Sequence, residues 1–294
     1  MKKVIEHELP VGDFLFRWGQ RTYVMGILNV TPDSFSGDGL VGQGVEGAVE
    51  QARAFVKAGV DILDVGGEST RPGADPVSPD QELNRVLPVI ERLSEEFETL
   101  ISIDTYKALV AEKALARGAD LVNDVWGLRA DPELKTVISE HQVPVILMHN
   151  RSDPSNAQIK EQLGGRYVGV EYEDLLQDVK RELMESVQIA REAGIPEKHI
   201  ILDPGIGFGK TVNQNLKLLN RLDEIRGLGY PVLLGPSRKS FIGYTLDLPP
   251  EERVEGTAAT VSIGIDRGAD IIRVHDVAQM TRVAKMTDAI VRGG

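Results

Sequence analysis

The stretch AGVDILDVGGEST, residues 58–70, indicates the fold because it joins the end of a helical pattern to a short strand. The helical pattern ends at Gly59, and glycine commonly terminates helices because it adopts a positive φ without steric cost. Ile62–Val65 has the β-branched character of a strand, and polar residues follow it from Glu68. Helix, glycine, strand and polar strand end together form one unit of an α/β fold.

The same unit recurs along the chain, with helical patterns that end at Gly118, Gly194 and Gly268. Strands are predicted at Tyr23–Leu28, Ile62–Val65, Leu100–Ile103, Leu121–Val122, Val143–Met148, Ile200–Leu202, Pro231–Leu234 and Ile271–Val274. Helices are predicted between them, as at Glu46–Lys57, Pro79–Glu95, Lys107–Arg117, Glu171–Ala193 and Glu251–Arg267. About eight strand–helix units in 294 residues predict an α/β protein with a (β/α)8 TIM barrel. A doubly wound open sheet is the alternative, but no GxGxxG motif follows the first strand.

A β-hairpin is predicted ahead of the barrel. Phe14–Trp18 would pair with Arg21–Tyr23 across a turn at Gly19 and Gln20, and this short N-terminal hairpin could plug the bottom of the barrel. We assign the plug to residues 1–22. Because no linker, repeat or low-complexity segment divides the chain, residues 1–294 are predicted to form a single domain.

Composition excludes several classes of protein. No run of about 18 apolar residues occurs, and the N-terminal MKKVIEHELP lacks the apolar core of a secretory signal. Cysteine is absent, which rules out disulfides and fits a cytoplasmic location. The formal net charge of -12 argues against nucleic-acid and anionic-membrane partners. A small anionic substrate stays possible, because a local cluster of cations outweighs a distant acidic surface in salt.

Residues that can donate hydrogen bonds or carry charge follow nearly every predicted strand. In a barrel these positions converge on one face, which carries the chemistry. They are Asn29, Glu68–Arg71, Asp104, Asn123, Asp124, His149, Asp203, Ser237–Ser240, Arg273 and His275. Helix capping and turn formation would explain any single Asp or Asn. Capping does not explain Lys239, Arg273 and His275, whose positive charge is unfavourable near a helix N-terminus.

The strand-end residues divide into two chemical groups. Asp104, Asn123 and Asp203 offer acceptors and an amide, which suit a flat heterocycle with several N–H groups and a carbonyl. The cationic group suits a phosphate or carboxylate and comprises Arg71, Lys239, Arg273 and His275. Met148 and Phe208 are candidate pocket walls, although Met148 suits a plain core position equally well.

Two apparent motifs are discounted. GIGFGKT, residues 205–211, resembles a phosphate-binding loop, but Pro204 occupies the position of the first required glycine. Its glycines are better explained by a close approach of backbone to ligand. The five histidines are scattered and have no cysteine partners, so a zinc site is not predicted.

Eight segments, in order and in spacing, resemble the signatures of the dihydropteroate synthase family. They are ILNVTPDSFS, GGESTRPGA, SIDTYKA, NDVWGL, PVILMH, LDPGIGFGKT, GPSRKSFIG, and GTAA with RVHDV. The resemblance covers nearly the whole chain from Tyr23 onward, and it implies a (β/α)8 barrel. The family joins (7,8-dihydropterin-6-yl)methyl diphosphate to p-aminobenzoate, which gives 7,8-dihydropteroate and pyrophosphate in folate biosynthesis.

The resemblance also implies roles for individual residues. A pterin pocket is implied at Asp104, Asn123, Asp203 and Lys239, with Met148 and Phe208 as walls. The diphosphate would be held by Asn29, Arg273 and His275, with Mg²⁺ as cofactor near Asn29. A lid over p-aminobenzoate is implied at Phe35, Thr70, Arg71, Pro72 and Ser240. Asp104, Asp203, Lys239 and Arg71 form the implied catalytic set, and the implied assembly is a homodimer.

Two positions depart from the family pattern. The lid sequence reads Ser-Gly-Asp-Gly at residues 36–39, which moves Asp38 one place along from its usual position. Asn150 follows His149 where the family often has Met. Two alternatives stay open: a pterin-binding methyltransferase, which has no use for the anion-binding groups, and a non-catalytic pterin-binding paralogue, which would be expected to have lost Arg71, Lys239 or the lid.

Overall fold

The computed structural model describes residues 8–30, 41–69, 76–160, 163–168 and 170–293. The predictions for five residues of the implied lid lie outside these ranges, namely Phe35, Asp38, Thr70, Arg71 and Pro72.

Strands and helices alternate through most of the described chain. The strands are β1 (Glu8–Val11), β2 (Phe14–Arg17), β3 (Tyr23–Asn29), β4 (Ile62–Gly66), β5 (Leu100–Asp104), β6 (Leu121–Asp124), β7 (Val145–Met148), β8 (Ala157–Lys160), β9 (Gly164–Tyr167), β10 (Ile200–Asp203), β11 (Leu233–Leu234) and β12 (Ile271–Val274). The α-helices are α1 (Val41–Lys57), α2 (Pro79–Glu96), α3 (Ala108–Leu115), α4 (Leu134–His141), α5 (Leu175–Glu192), α6 (Val212–Asn220), α7 (Leu222–Arg226), α8 (Ser240–Leu246), α9 (Val254–Asp266) and α10 (Val277–Val291).

Eight parallel strands form the predicted (β/α)8 barrel, in the order β10, β7, β6, β5, β4, β3, β12, β11. The barrel closes between β10 and the start of β11, where the Leu202 amide donates to the Pro231 carbonyl at 2.9 Å. Successive barrel strands are neighbours around the ring, so the doubly wound alternative is wrong.

Side chains alternate between the inside and the outside of the barrel along each strand, and the first inward side chains of the eight strands are apolar. The first inward side chains pack together with the hairpin residues Leu9, Val11, Phe16 and Trp18. These inward residues are Tyr23, Ile62, Leu100, Leu121, Ile146, Ile201, Leu233 and Ile271. The outward residues form a second core under the helices. The hairpin therefore covers one end of the barrel and leaves the carboxyl ends of the strands for the site.

The hairpin is present, but its predicted pairing is wrong. Phe14–Arg17 pairs with Glu8–Val11, and Tyr23 belongs to barrel strand β3. The turn is formed by Gly12 and Asp13, with Gly12 at φ +55° in the region that favours glycine. The predicted turn at Gly19 connects the hairpin to the barrel instead.

The predicted barrel elements lie within a few residues of the observed ones. The four helix-ending glycines all have positive φ, as predicted: Gly59, Gly118, Gly194 and Gly268. The β8–β9 hairpin, an insertion after β7, was not predicted, and neither were α4, α6, α7, α8 and α10. Across the described ranges, the helices lack the combination of length and apolar character that crossing a membrane requires.

Candidate active site

The carboxyl ends of the barrel strands bring polar residues to one level. Register pairs Asp104 with Asn123 on the neighbouring strand, and Asp203 with Met148. Since side chains alternate along a strand, these four lie on the same inward face as the apolar layer below them. Asn123, Met148 and Asp203 are buried, and Asp104 is nearly so.

Arg273 crosses the barrel interior from β12 to two carboxylates. Its Nε lies 2.5 Å from Oδ2 of Asp64 on β4, and its Nη2 lies 2.5 Å from Oδ2 of Asp104 on β5. The amide of Asn123 also donates to Asp64 Oδ2, at 3.3 Å. The guanidinium therefore lies among the acids of the predicted heterocycle pocket, whereas the sequence interpretation grouped it with His275.

The electrostatics of this cluster are dominated by burial. Burial raises the pKa of Asp104 to about 7, although the charge of Arg273 acts in the opposite direction. For Arg273 itself, burial lowers the pKa, but Asp64 and Asp104 raise it by more, so the net pKa lies above its ordinary value. The guanidinium is therefore charged and pairs with both acids.

Asp64 was missed by sequence reasoning. It is fully buried and lies in the middle of β4, not at its end. The prediction of site residues depends on position at a strand end, which Asp64 does not satisfy. A charged residue in an otherwise apolar barrel strand was the available signal, because buried carboxylates need specific partners.

Asp203 and Lys239 form the opposite corner of the pocket. The Lys239 ammonium donates to the Ile206 carbonyl and lies 4.6 Å from the centroid of the Phe208 ring. Burial lowers the pKa of Lys239 to about 8, and Asp203 partly counteracts this effect. Burial raises the pKa of Asp203, whose Oδ1 also accepts from the Gly205 amide at 2.7 Å. The structure thus places Lys239 near Phe208 and Asp203, two other residues of the predicted pterin pocket.

The GIGFGKT segment is shaped by a buried lysine. Lys210 Nζ donates to the carbonyls of Gly205 and Phe208 and to Nδ1 of His149, each at 2.9 Å. Burial lowers the pKa of His149 to about 3, so the ring is neutral, and its Nε2–H donates to Glu182 at 3.0 Å. Lys210 therefore satisfies three acceptors inside the protein and does not point out as a phosphate-binding lysine would.

Gly205 can only be glycine in this arrangement. Its φ is +68°, and a Cβ would lie 1.8 Å from the His149 carbonyl oxygen. The segment passes close to other backbone, whereas the sequence interpretation assigned the glycines to close approach of a ligand.

Three strand-end residues have structural partners. Asp124 accepts from the amides of Trp126 and Leu128, so the turn interpretation holds for it. Glu68 pairs with Lys107. Asn150, the position that departs from the family pattern, donates to the Val125 carbonyl at 3.0 Å and accepts from the Ser152 amide at 2.8 Å. It therefore ties together the loops that follow β6 and β7.

The predicted diphosphate residues lie at the neighbouring strand ends. His275 follows β12, and its Nδ1 lies 3.0 Å from Oγ of Ser237. Asn29 is the last residue of β3 and is half-buried. Ser240, predicted to contact p-aminobenzoate, is the first residue of α8.

Within the described ranges, no group of three or more His, Asp or Glu residues could hold a metal by itself. Mg²⁺ often takes one or two protein ligands and completes its shell with substrate phosphates and water, so a lone Asn29 oxygen fits that role.

Comparison with known proteins agrees with the geometry. The family described as "Pterin binding enzyme" matches residues 25–275. The dihydropteroate synthase of Bacillus subtilis (strain 168) is 54% identical over 275 residues, which are 94% of this chain and 90% of that protein. A dihydropteroate synthase from Clostridium difficile, solved in the presence of pteroic acid, is 48% identical with a TM-score of 0.85, covering 94% of this chain and 99% of that one. The Xanthomonas albilineans enzyme, solved with 4-aminobenzoic acid, is 40% identical with a TM-score of 0.86, covering 96% of this chain and 97% of that one.

The barrel and its polar strand ends define a pterin-binding enzyme. At this identity and coverage, the chain belongs to the dihydropteroate synthase family.

Proposed function

We propose that this chain condenses (7,8-dihydropterin-6-yl)methyl diphosphate with p-aminobenzoate, which gives 7,8-dihydropteroate and pyrophosphate. The observation that carries the proposal is the buried polar cluster at the strand ends, in a chain more than half identical to a dihydropteroate synthase over nearly its whole length. Charged groups are costly to bury without specific partners, and this cluster brings two carboxylates and a guanidinium together inside the barrel.

The pterin ring is proposed to bind within this cluster. Asp203 and Asp104 would accept hydrogen bonds from the ring's N–H groups, and Asn123 and Lys239 would donate to its acceptors. Met148 and Phe208 would pack against the ring. Because each carboxylate is buried, its hydrogen bonds to the ring form in a medium of low dielectric constant and discriminate strongly against rings that lack the donors.

The diphosphate is proposed to leave toward His275, Asn29 and the outer edge of Arg273. When Mg²⁺ is bound, it neutralises charge on the diphosphate. The C–O bond breaks with its electron pair on the diphosphate, and the resulting cation is delocalised into the dihydropterin. Asp104 and Asp203, held in place before the reaction, stabilise that positive charge.

The second substrate is proposed to attack from the lid side, where Ser240 and the implied residues Phe35, Thr70, Arg71 and Pro72 would hold it. The amine nitrogen of p-aminobenzoate forms the new C–N bond and then loses a proton to solvent. An arylamine is unprotonated at neutral pH, so the attack needs no strong general base. The neutral, internally bonded His149 is not placed to act as one.

A coupled assay for pyrophosphate release tests this function. We expect release that depends on both substrates and gives 7,8-dihydropteroate in equal amount. A methyltransferase would release no pyrophosphate under these conditions, and a non-catalytic paralogue would bind the pterin without turnover. Either result would contradict the proposal.

We also propose that the chain is a cytoplasmic homodimer whose 294 residues form one domain. An apolar patch on α9 and α10 supports the dimer, with Ile263 46% exposed, Met286 63% and Ile290 69%. The two helices pack against each other, since the Ser262 and Thr287 hydroxyls lie 3.2 Å apart. Light scattering should show a dimer, and Ile290→Glu should shift it toward monomer. A monomeric wild type would contradict the proposed assembly.

A further inference from the structure

Most buried aspartates of the barrel have structural partners that Asp64 lacks. Asp61 and Asp270 are buried and Asp120 is half-buried, and each accepts from a backbone amide, namely those of Val24, Val232 and Ile101 at 2.8, 2.9 and 2.8 Å. Such bonds tie strands together. Asp64 is 0% exposed, yet within the described part of the chain no backbone amide donates to it.

The partners of Asp64 are instead two residues of the proposed site. Oδ2 accepts from Arg273 Nε at 2.5 Å and from Asn123 Nδ2 at 3.3 Å. Oδ1 is buried and has no hydrogen-bond partner among the described residues. In the part of the chain that the structure describes, the Asp64 carboxylate forms no hydrogen bond to the backbone of a neighbouring strand, and both of its partners belong to the site. Its effect is therefore on the positions of those site residues.

The geometry at Arg273 shows what Asp64 does there. A guanidinium is planar, and its donors project in fixed directions. Asp64 fixes Nε and Asp104 fixes Nη2, so the two acids together set the plane of the group. With Asp104 alone, the side chain could rotate about a single contact. Nη1 has no hydrogen-bond partner among the described residues, so it is available to an anion on the substrate.

We propose that Asp64 is a positioning residue that holds the Arg273 guanidinium in the orientation that presents Nη1 to the substrate's diphosphate. The inference rests on the proposed function. Asp64 does not itself contact the substrate; it acts through Arg273.

A double-mutant cycle on Asp64 and Arg273 tests this role. The probe is 6-hydroxymethylpterin diphosphate, whose oxidised ring cannot delocalise a cation and so stays intact; its binding is measured by calorimetry with Mg²⁺. Asp64→Asn should weaken binding by about tenfold or more, the loss of one well-formed charge-assisted contact. In an Arg273→Gln background, the same Asp64→Asn change should alter binding by less than about twofold. Additive losses in the cycle would overturn the proposal, because they would mean that Asp64 acts independently of Arg273.

Thermal unfolding provides the second readout. Asp64→Asn removes one of the two acids that pair with Arg273, and Arg273→Gln leaves both acids without their cation, so both variants should have a lower Tm than wild type. The double variant removes both charges and should have a higher Tm than Arg273→Gln alone. If Asp64→Asn does not fold, the comparison of Arg273→Gln with the double variant still tests the proposal. Equal probe affinity and a higher Tm of the double variant would support it. Weaker probe binding by the double variant would overturn it.

Asp270→Asn is the matched control. Asp270 is also buried and pairs with an arginine, Arg226, at 3.0 Å, but it lies at the N-terminal end of the barrel. The Asp270→Asn variant should have a lower Tm than wild type, and its affinity for the probe should stay within about twofold of wild type. Loss of affinity in this variant as large as in Asp64→Asn would overturn the proposal. A wild-type protein that fails to bind the probe would contradict the proposed function instead.

Discussion

The two ends of the barrel are formed by the same strands but bury opposite kinds of side chain. At the N-terminal end, the inward layer is apolar and is covered by the aromatic hairpin, where Phe16 and Trp18 stack with ring centroids 4.7 Å apart. At the C-terminal end, the inward residues are acids, an amide and cations. At the first end, Asp61 and Asp270 accept from strand amides, whereas towards the second end Asp64 and Asp104 accept from Arg273.

This difference separates stability from function within one fold. Apolar burial stabilises the folded state by roughly 25 cal/mol per Å². Buried charges are costly unless each has a specific partner, and clusters of them are common at functional sites. Substitutions at the N-terminal end should therefore lower stability and spare binding, whereas those at the C-terminal end should mainly reduce binding.

The largest effect is expected from Lys239→Met. It removes the ammonium that lies over the Phe208 ring in the field of Asp203, so affinity for 6-hydroxymethylpterin should fall by about 10- to 150-fold, the equivalent of a charge-assisted hydrogen bond. Calorimetry measures the change. Lys180→Met is the control, because Lys180 pairs with Glu224 on the barrel wall at 2.9 Å. Equal affinities in the two variants would remove Lys239 from the pterin pocket.

His275→Ala should distinguish the affinity for the diphosphate from the affinity for the pterin ring. Affinity for 6-hydroxymethylpterin diphosphate should fall by about tenfold, the loss of one charge-assisted contact, and the loss should shrink as salt rises. Affinity for the bare pterin should not change. His275 is a sharper probe than Arg273, whose removal also unpairs Asp64 and Asp104. Equal losses for both ligands would place His275 in the pterin pocket.

A pH dependence is expected from Asp104. Its pKa in the folded protein is about 7 against an ordinary 3.8, so between these values the folded state holds a proton that the unfolded state has lost. The contribution of Asp104 to the free energy of unfolding should therefore fall as pH rises from 4 to 7, and then stay constant. Denaturant unfolding of wild type and Asp104→Asn across this range gives the difference. A difference that grows with pH would show that pairing with Arg273 outweighs burial.

The smallest effect is expected from Phe35→Ala. The prediction rests on the sequence, since Phe35 lies outside the described residues. Loss of an aromatic contact should raise the KM for p-aminobenzoate by about two- to tenfold and leave pterin affinity unchanged. Binding should also be ordered, with the pterin diphosphate before p-aminobenzoate. Steady-state kinetics with each substrate varied would show both effects, and tight p-aminobenzoate binding to the free enzyme would contradict them.

The sequence predicted the barrel because its signals are local. β-branched runs, helix-ending glycines and polar strand ends each depend on a few neighbouring residues. The hairpin prediction failed because Tyr23 pairs with Ile271 inside the barrel, which leaves Phe14–Arg17 to pair with Glu8–Val11. The β8–β9 insertion, with the sequences AQIK and GGRY, lacks the continuous apolar run that is typical of a barrel strand.

The site was only partly predictable for a different reason. Asp104, Asn123 and Asp203 were identified because each lies at or next to the end of its strand. The pairing of Arg273 with Asp64 joins residues 209 positions apart, and no local pattern encodes it. The buried position of Lys210 was not predicted for the same reason, since its acceptors include a histidine 61 residues away.

The most direct test of the account compares one aspartate from each end of the barrel. Asp203→Asn places an amide donor opposite the N–H edge of the pterin, and Asp61→Asn weakens the contacts with the Val24 amide and Arg21. Calorimetry with 6-hydroxymethylpterin and thermal unfolding are carried out on both variants. We predict that Asp203→Asn loses about 10- to 150-fold in affinity with little change in Tm, and that Asp61→Asn lowers the Tm and binds like wild type. Pterin affinity of Asp203→Asn within about twofold of wild type would contradict the assignment of the C-terminal end as the pterin site.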